Sequence, residues 1–249
     1  MKKTIGILAH VDAGKTTLSD KLLYITGSVR TMGQVNNKTS NLDTNDIEKE
    51  RGITIFADQA QFDYNGNTYY FIDTPGHIDF SPEAERSLLA LDYAILVISG
   101  PDSVQSHTTT LFNLLKRYNI PTFIFVNKAD RQDINMDDVI EDIKSRLTEN
   151  IVYINNIIDC AETVAENNEE FLGKYLSGEY TQVDVENTLA MLIKLRDIYP
   201  IIKGSAIDDN SVKSFLDIFD RLTFTNYDEN TDFKAVVYKI RNIDTRLKW

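Results

Sequence analysis

Apolar residues are distributed along the chain in two ways: short, nearly unbroken runs, and longer stretches in which they recur every three or four positions. TIGILA (4–9), YAILVIS (93–99), TFIFVN (122–127) and YPIIKGS (199–205) are runs of the first kind. Unbroken apolarity over so few residues predicts strands covered on both faces. ITIFADQAQFDY and TYYFID flank Asn65-Gly66-Asn67, which predicts two antiparallel strands joined by a tight turn. Helical periodicity follows the first run in TTLSDKLLYI and returns at about 82–92, 105–119 and 136–149. This alternation predicts an α/β fold, with an open, mostly parallel six-stranded sheet, one antiparallel edge strand and helices on both faces.

Three stretches depart from the alternation. Residues 27–52 are polar and rich in turn formers, and a connection of that length inside a domain is usually functional or mobile. Residues 150–198 read as an insert, one short apolar run followed by helical patterns at about 161–176 and 182–197. After a polar gap, FKAVVYKI begins a strand near residue 232 with nothing after it to pair with. The expected organisation is therefore one domain over 1–230, with an insert at about 150–198. Residues 231–249 are expected to be the first strand of a second, β-barrel domain cut short, in a chain that is a fragment of a longer protein.

Composition narrows the class. With 42% hydrophobic and 26% charged residues the chain is ordinary for a soluble protein. Cys160 is the single cysteine, so no internal disulfide forms, which favours a reducing compartment. The start, MKKTIGILAHVDAGKTT, has lysines before an apolar run, but the run is too short for a targeting segment, and AILVI (94–98) is too short to span a bilayer. The protein is expected to be cytoplasmic and monomeric, with no membrane partner. A net charge of −12 disfavours non-specific binding to DNA or RNA, so any contact with RNA must be local and geometric.

Five short motifs carry the chemistry. AHVDAGKTT (9–17: Ala9, His10, Val11, Asp12, Ala13, Gly14, Lys15, Thr16, Thr17) lies between a strand and a helix and fits G-x-x-x-x-G-K-[ST], with Ala9 in place of the first glycine. In such a loop, backbone N–H groups and the helix N-terminus surround the β-phosphate, Lys15 reaches the β- and γ-phosphates, and the Thr16 hydroxyl binds Mg²⁺. In DTPGH, Asp73 ends a strand where it can hold an Mg²⁺-bound water, the Gly76 N–H can meet the γ-phosphate, and Thr74, Pro75 and His77 complete the segment. RGITI closes the polar loop, and its Thr54 can supply a second hydroxyl to the metal when a γ-phosphate is present. NKAD (127–130) ends a buried strand at the carboxyl edge of the sheet, where α/β ligands sit. Asp130 can accept from both N1–H and N2–H₂ of guanine, Asn127 can serve N7 and O6 while tying loops together, and the stem of Lys128 can lie on the base. GSA (204–206) ends the last strand, where the N–H groups of Ser205 and Ala206 can donate to guanine O6. Taken together, the five motifs describe a site for Mg²⁺ with GTP or GDP on a P-loop NTPase fold.

The set AHVDAGKTT, ERGITI, DTPGHIDF, NKAD and GSA resembles the GTPase domain of translation factors of the elongation factor G group, over residues 1 to about 241. RSLLALDYAILVISGPDSVQ (86–105), the short insert before GSA, and LGKYLSGE (172–179) look most like the tetracycline-resistance ribosomal protection proteins. The resemblance implies a ribosome partner, at the large-subunit RNA and proteins near its GTPase centre. It also implies that His77 positions the attacking water once the ribosome orients it, behind an apolar gate of Val11 and Ile53. Asp12 matches a loop acid that helps neutralise phosphate charge through a monovalent cation. His10 reads as loop structure and His107 as a helix-face residue.

Phosphoryl transfer asks the protein mainly to position groups and stabilise charge. No arginine finger stands out in cis, so intrinsic hydrolysis is expected to be slow, with partner activation on the order of 10⁴–10⁵-fold. Three rival readings share parts of the pattern. A housekeeping translocase of the elongation factor G type is separated by its downstream domains or by a resistance assay. A ribosome-independent signalling switch would need its own GTPase activator. A small-substrate phosphotransferase would need an acceptor-activating base, and none is visible.

Overall fold

β-Branched and aromatic residues, bounded by Gly, Asn and Asp, set the strands where the runs predict them. In the computed structural model, which describes residues 1–29, 58–73 and 81–227, the chain first forms β1 (Lys2–Ala9), α1 (Lys15–Ile25), β2 (Asp58–Tyr64), β3 (Asn67–Asp73) and α2 (Ser81–Leu88). Next come β4 (Tyr93–Ser99), α3 (Ser106–Arg117), β5 (Thr122–Asn127), α4 (Met136–Arg146) and β6 (Ile151–Tyr153). A 3-10 turn (Ile157–Cys160), α5 (Ala161–Asn167), α6 (Glu169–Ser177), α7 (Gln182–Leu195), β7 (Tyr199–Lys203) and α8 (Asp209–Arg221) complete it. One sheet carries the strands in the order β2-β3-β1-β4-β5-β7-β6. Among the described residues only the β2–β3 pairing is antiparallel. The residues around 27–52 beyond Val29, and the strand expected near 232, lie outside the described residues.

The sheet has seven strands among the described residues where the apolar runs predict six. The additional one, β6, is only three residues long and pairs in parallel with β7 at the sheet edge. The insert differs in a second way: its first helical pattern, expected at 161–176, is two helices. Asn168 is extended (φ −147°, ψ 111°) and its side chain accepts from the Phe171 N–H at 2.8 Å, ending one helix and capping the next. The hairpin is as its turn residues require. Tyr64 pairs with Asn67, and Asn65 and Gly66 take φ of 47° and 77°, the left-handed pair of a type I′ turn.

Strand alternation divides the core. Tyr93, Ile95 and Val97 join Ile5, Ile7, Phe123 and Phe125 on one face, under α1 and α8. Ala94, Leu96 and Ile98 join Leu8, Ile124 and Val126 on the other, under α3 and α4. The helices of the insert contribute Val164, Phe171, Val185 and Leu189 to the first cluster, so they share its core. No helix among the described residues is long and apolar enough to cross a membrane.

At the end of the sheet where β1 begins, a buried polar knot ties α8 to the strands. Lys3 is fully buried, and its Nζ reaches Asp220 Oδ1 (3.2 Å), Thr223 Oγ1 (3.0 Å) and the Tyr69 hydroxyl (3.1 Å). The same Asp220 oxygen accepts from Tyr69 OH and from Asn67 Nδ2 (2.7 Å), while Asn65 Nδ2 donates to its other oxygen (3.2 Å). Burial draws the Lys3 ammonium below its ordinary value, partly offset by Asp220. Burial also pushes the Asp220 carboxyl up, but hydrogen bonds from Tyr69 and Asn67, with the charge of Lys3, outweigh it and hold the group below 3.8.

Asp220 therefore contributes stability at pH above that ordinary value, and the contribution is lost as pH falls through the depressed folded value. Asp220→Ala, which strands Lys3 in the core, is expected to cost about 3–5 kcal/mol in urea unfolding at neutral pH and to flatten the acid limb of the stability profile. Lys3→Met combined with Asp220→Leu is expected to lose less than Asp220→Ala alone. An equal or larger loss in the double variant would show that the pair itself stabilises the fold.

Candidate functional site

The carboxyl ends of β1, β3, β4, β5 and β7 share one edge of the parallel sheet, and AHVDAGKTT, NKAD and GSA sit on the loops leaving it. Ala9, fully buried, ends β1, and the chain turns through His10, Val11, Asp12, Ala13 and Gly14 into α1. Asp12 (φ 62°) and Gly14 (φ 96°) both take left-handed backbone conformations. At Gly14 a side chain is excluded twice, by φ and because a Cβ would collide with Asn127 Nδ2. Gly14 is also the N-cap of α1, so no side chain caps that helix, and no acidic residue lies in its first turn. The positive end of the helix dipole, with Lys15 in its first turn, therefore faces the loop. This arrangement suits a phosphate. Thr16 and Thr17, half-buried, occupy the same turn.

Asn127, buried at the last position of β5, joins this loop to two others. Its Nδ2 donates to the Ala13 carbonyl at 2.8 Å, and its Oδ1 accepts from the Ala206 N–H at 2.8 Å. Its backbone carbonyl accepts from the Gly100 N–H at 2.8 Å. Lys128 (φ 61°) reaches back, its Nζ donating to the Asp12 carbonyl at 2.7 Å. The Ala129 N–H donates to the Gly204 carbonyl (3.0 Å) and the Gly204 N–H to the Val126 carbonyl (2.9 Å), so NKAD and GSA form one clamped unit. Asp130, next in the turn, is exposed with its carboxylate open to a ligand.

The expected GSA donors differ in their surroundings from the sequence reading. The Ser205 N–H donates to Ser211 Oγ at 2.8 Å, and the Ala206 N–H is held by Asn127. Both residues are buried, so their amides need partners inside the protein, and the fold provides them. His107 lies on α3 as expected, but on its buried side, with its ring centroid 6.1 Å from that of His10. Asp73 is the last residue of β3; its side chain, together with Ile53, Thr54, Thr74, Pro75, Gly76 and His77, lies outside the described residues. Sequence reasoning missed Ser211 and its cap Asp208, whose Oδ2 accepts from the Ser211 N–H at 2.9 Å. The polar run Asp208-Asp209-Asn210-Ser211 before an amphipathic helix was the available signal for that cap.

Comparison with known proteins agrees with this geometry. The elongation factor Tu GTP binding domain family matches residues 2–225. The chain is 37% identical over 264 aligned positions to the tetracycline resistance protein TetP of Clostridium perfringens, covering 96% of this chain and 40% of that protein. To TetS of Listeria monocytogenes it is 38% identical over 242 positions, covering 92% and 38%. The chain thus spans about two fifths of the length of these relatives. A crystal structure of a protein from Thermus thermophilus shares the fold, with a TM-score of 0.80 at 23% identity over 88% of this chain and 40% of that one. With a family match over nearly the whole length, consistent with the β1–α1 loop and the clamped NKAD and GSA loops, this chain belongs to the family of the elongation factor Tu GTP-binding domain.

Proposed function

We propose that this chain is the GTP-binding and GTP-hydrolysing domain, residues 1–230, of a ribosome-associated translation factor acting in the cytoplasm. In this reading the complete protein confers tetracycline resistance by ribosomal protection, and residues 231–249 begin its next domain. The observation that carries the reading is the Asn127 side chain bonded at once to the Ala13 carbonyl and the Ala206 N–H, which joins a phosphate loop to a guanine-reading pair of loops. The tetracycline resistance proteins among its relatives favour the resistance role over a housekeeping translocase.

In this reading the helix dipole of α1 and the amides of residues 14–17 hold the β-phosphate, and Lys15 spans the β- and γ-phosphates. Asp130 accepts from N1–H and N2–H₂ of guanine, the Lys128 stem borders the base, and the second Nδ2 hydrogen of Asn127 is left for N7. The Thr16 and Thr54 hydroxyls, with Asp73 through water, would hold Mg²⁺; the start of α1 has no side-chain cap and no acidic residue in its first turn, which suits a metal–phosphate pair. When bound, Mg²⁺ offsets the charge that develops on the phosphate oxygens. Asp12 would favour a monovalent cation beside it. Thr74, Pro75 and Gly76 carry the γ-phosphate contact to His77, which orients the attacking water after the Val11–Ile53 gate opens on the ribosome.

Lys15→Ala is expected to weaken GTP binding at least about 100-fold, since charge-assisted contacts to two phosphates are lost. Unchanged affinity in a fluorescent-nucleotide titration would remove the phosphate-loop assignment. Asp130→Asn is expected to exchange guanine for xanthine preference in competition binding, and retained GTP selectivity would count against its base-reading role. In the full-length protein, His77→Ala is expected to leave GTP affinity within about twofold while ribosome-stimulated turnover falls by about 10²–10⁴-fold. Equal loss of both would place His77 in binding instead. The resistance role is tested by expressing the complete gene in a susceptible bacterium. An unchanged inhibitory concentration of tetracycline would leave the translocase reading in its place.

A further inference from the structure

The ladder between β5 and β7 does not stop at Lys203. The Gly204 N–H donates to the Val126 carbonyl at 2.9 Å, and the Gly204 carbonyl accepts from the Ala129 N–H at 3.0 Å. We propose that Gly204 is a positioning residue: its carbonyl seats the turn that carries Asp130, and so sets how strongly the site prefers guanine. The proposal rests on the reading of Asp130 as the group that meets the guanine edge.

In a regular parallel ladder, a residue that donates to one position of the neighbouring strand accepts from the residue two positions further on. Gly204 donates to Val126, so Lys128 would be the regular donor in return; the donor is Ala129 instead. Lys128 is therefore looped out, with φ 61°, and its side chain runs back to the Asp12 carbonyl. The peptide between Lys128 and Ala129 is planar, with its carbonyl and its N–H on opposite edges. Gly204 holds the N–H, while the carbonyl accepts from the Arg131 N–H at 3.3 Å and closes a turn whose central residues are Ala129 and Asp130. Asp130 is exposed, so packing does little to place it and the seat of the turn decides where its carboxylate starts. Glycine is required at 204 by space, not by backbone angle. Its φ lies outside the left-handed region, but a Cβ would collide with Ser211 Oγ and the Phe125 ring. A side chain there must push the end of β7 off β5, and the Ala129 bond opens. The loss falls on the guanine N1–H and N2–H₂ that Asp130 meets; the phosphates are held elsewhere, at the start of α1.

The test uses this 249-residue chain and mant-GDP, displaced by GDP or by inosine diphosphate, which lacks only the N2 amine. Replacing Ala129 by lactic acid exchanges its N–H for an ester oxygen and removes the bond to Gly204 without adding bulk. This variant is expected to weaken GDP about tenfold and inosine diphosphate about threefold or less, lowering the ratio between them. Gly204→Ala is expected to lower the same ratio. Thermal unfolding of each variant accompanies the titrations, and the ester decides the matter if the alanine variant does not fold. Equal weakening of both nucleotides in the ester variant, or a wild-type ratio there, would overturn the positioning role. A wild-type chain that does not prefer GDP to inosine diphosphate, or an Asp130→Asn variant that keeps the preference, would overturn the reading of Asp130 and this inference with it.

Discussion

One carboxamide organises the carboxyl edge of the sheet. Asn127 stands where β5 leaves the sheet, and its two polar atoms hold the phosphate loop on one side and the GSA loop on the other. Each loop leaves a different strand, so their relative position would otherwise depend only on sheet twist and loop stiffness. The amide fixes it through two hydrogen bonds of 2.8 Å in a buried setting, where such bonds are strongest. Lys128 adds a third link to the Asp12 carbonyl. In the proposed reading, the phosphate and base ends of a nucleotide would meet surfaces whose separation is set before binding, which would lower the ordering cost of association.

The opposite edge of the sheet is organised differently. There the knot around Asp220 ties α8, β1 and the β2–β3 hairpin through charged and phenolic groups rather than through a neutral amide. The chain beyond α8 is strapped down beside it. The Tyr93 hydroxyl exchanges bonds with the backbone of Phe224, and Thr225 Oγ1 donates to the Lys2 carbonyl. Because β1 runs from this knot to the phosphate loop, and β3 from Tyr69 to Asp73, the two edges are connected by rigid strands.

Much of this was legible in the sequence, for identifiable reasons. YAILVIS and TFIFVN announce themselves because both faces of β4 and β5 are covered, so polarity has nowhere to appear. The hairpin is legible because Asn65 and Gly66 are residue types that tolerate left-handed backbone. β6 was not, since three residues provide no periodicity and the strand exists only through its pairing with β7. The break at Asn168 was hidden because no Gly or Pro in Asn167-Asn168-Glu169-Glu170 marks it. At the site, the motif residues could be named from spacing alone. The partners of the Ser205 and Ala206 amides could not, because Asn127 is 79 residues from Ala206 along the chain and the Ser211 bond depends on how the loop folds back on α8.

Gly14 gives the site an evolutionary consequence. A substitution there meets two independent obstacles, the left-handed φ of 96° and the amide of Asn127. Shortening residue 127 would clear the space but leave the backbone strained. Relaxing the loop would ease the backbone but break the joint to β5. No single step elsewhere makes position 14 tolerant, so drift in this chain must route around it, through surfaces such as the insert that do not converge on the same atom.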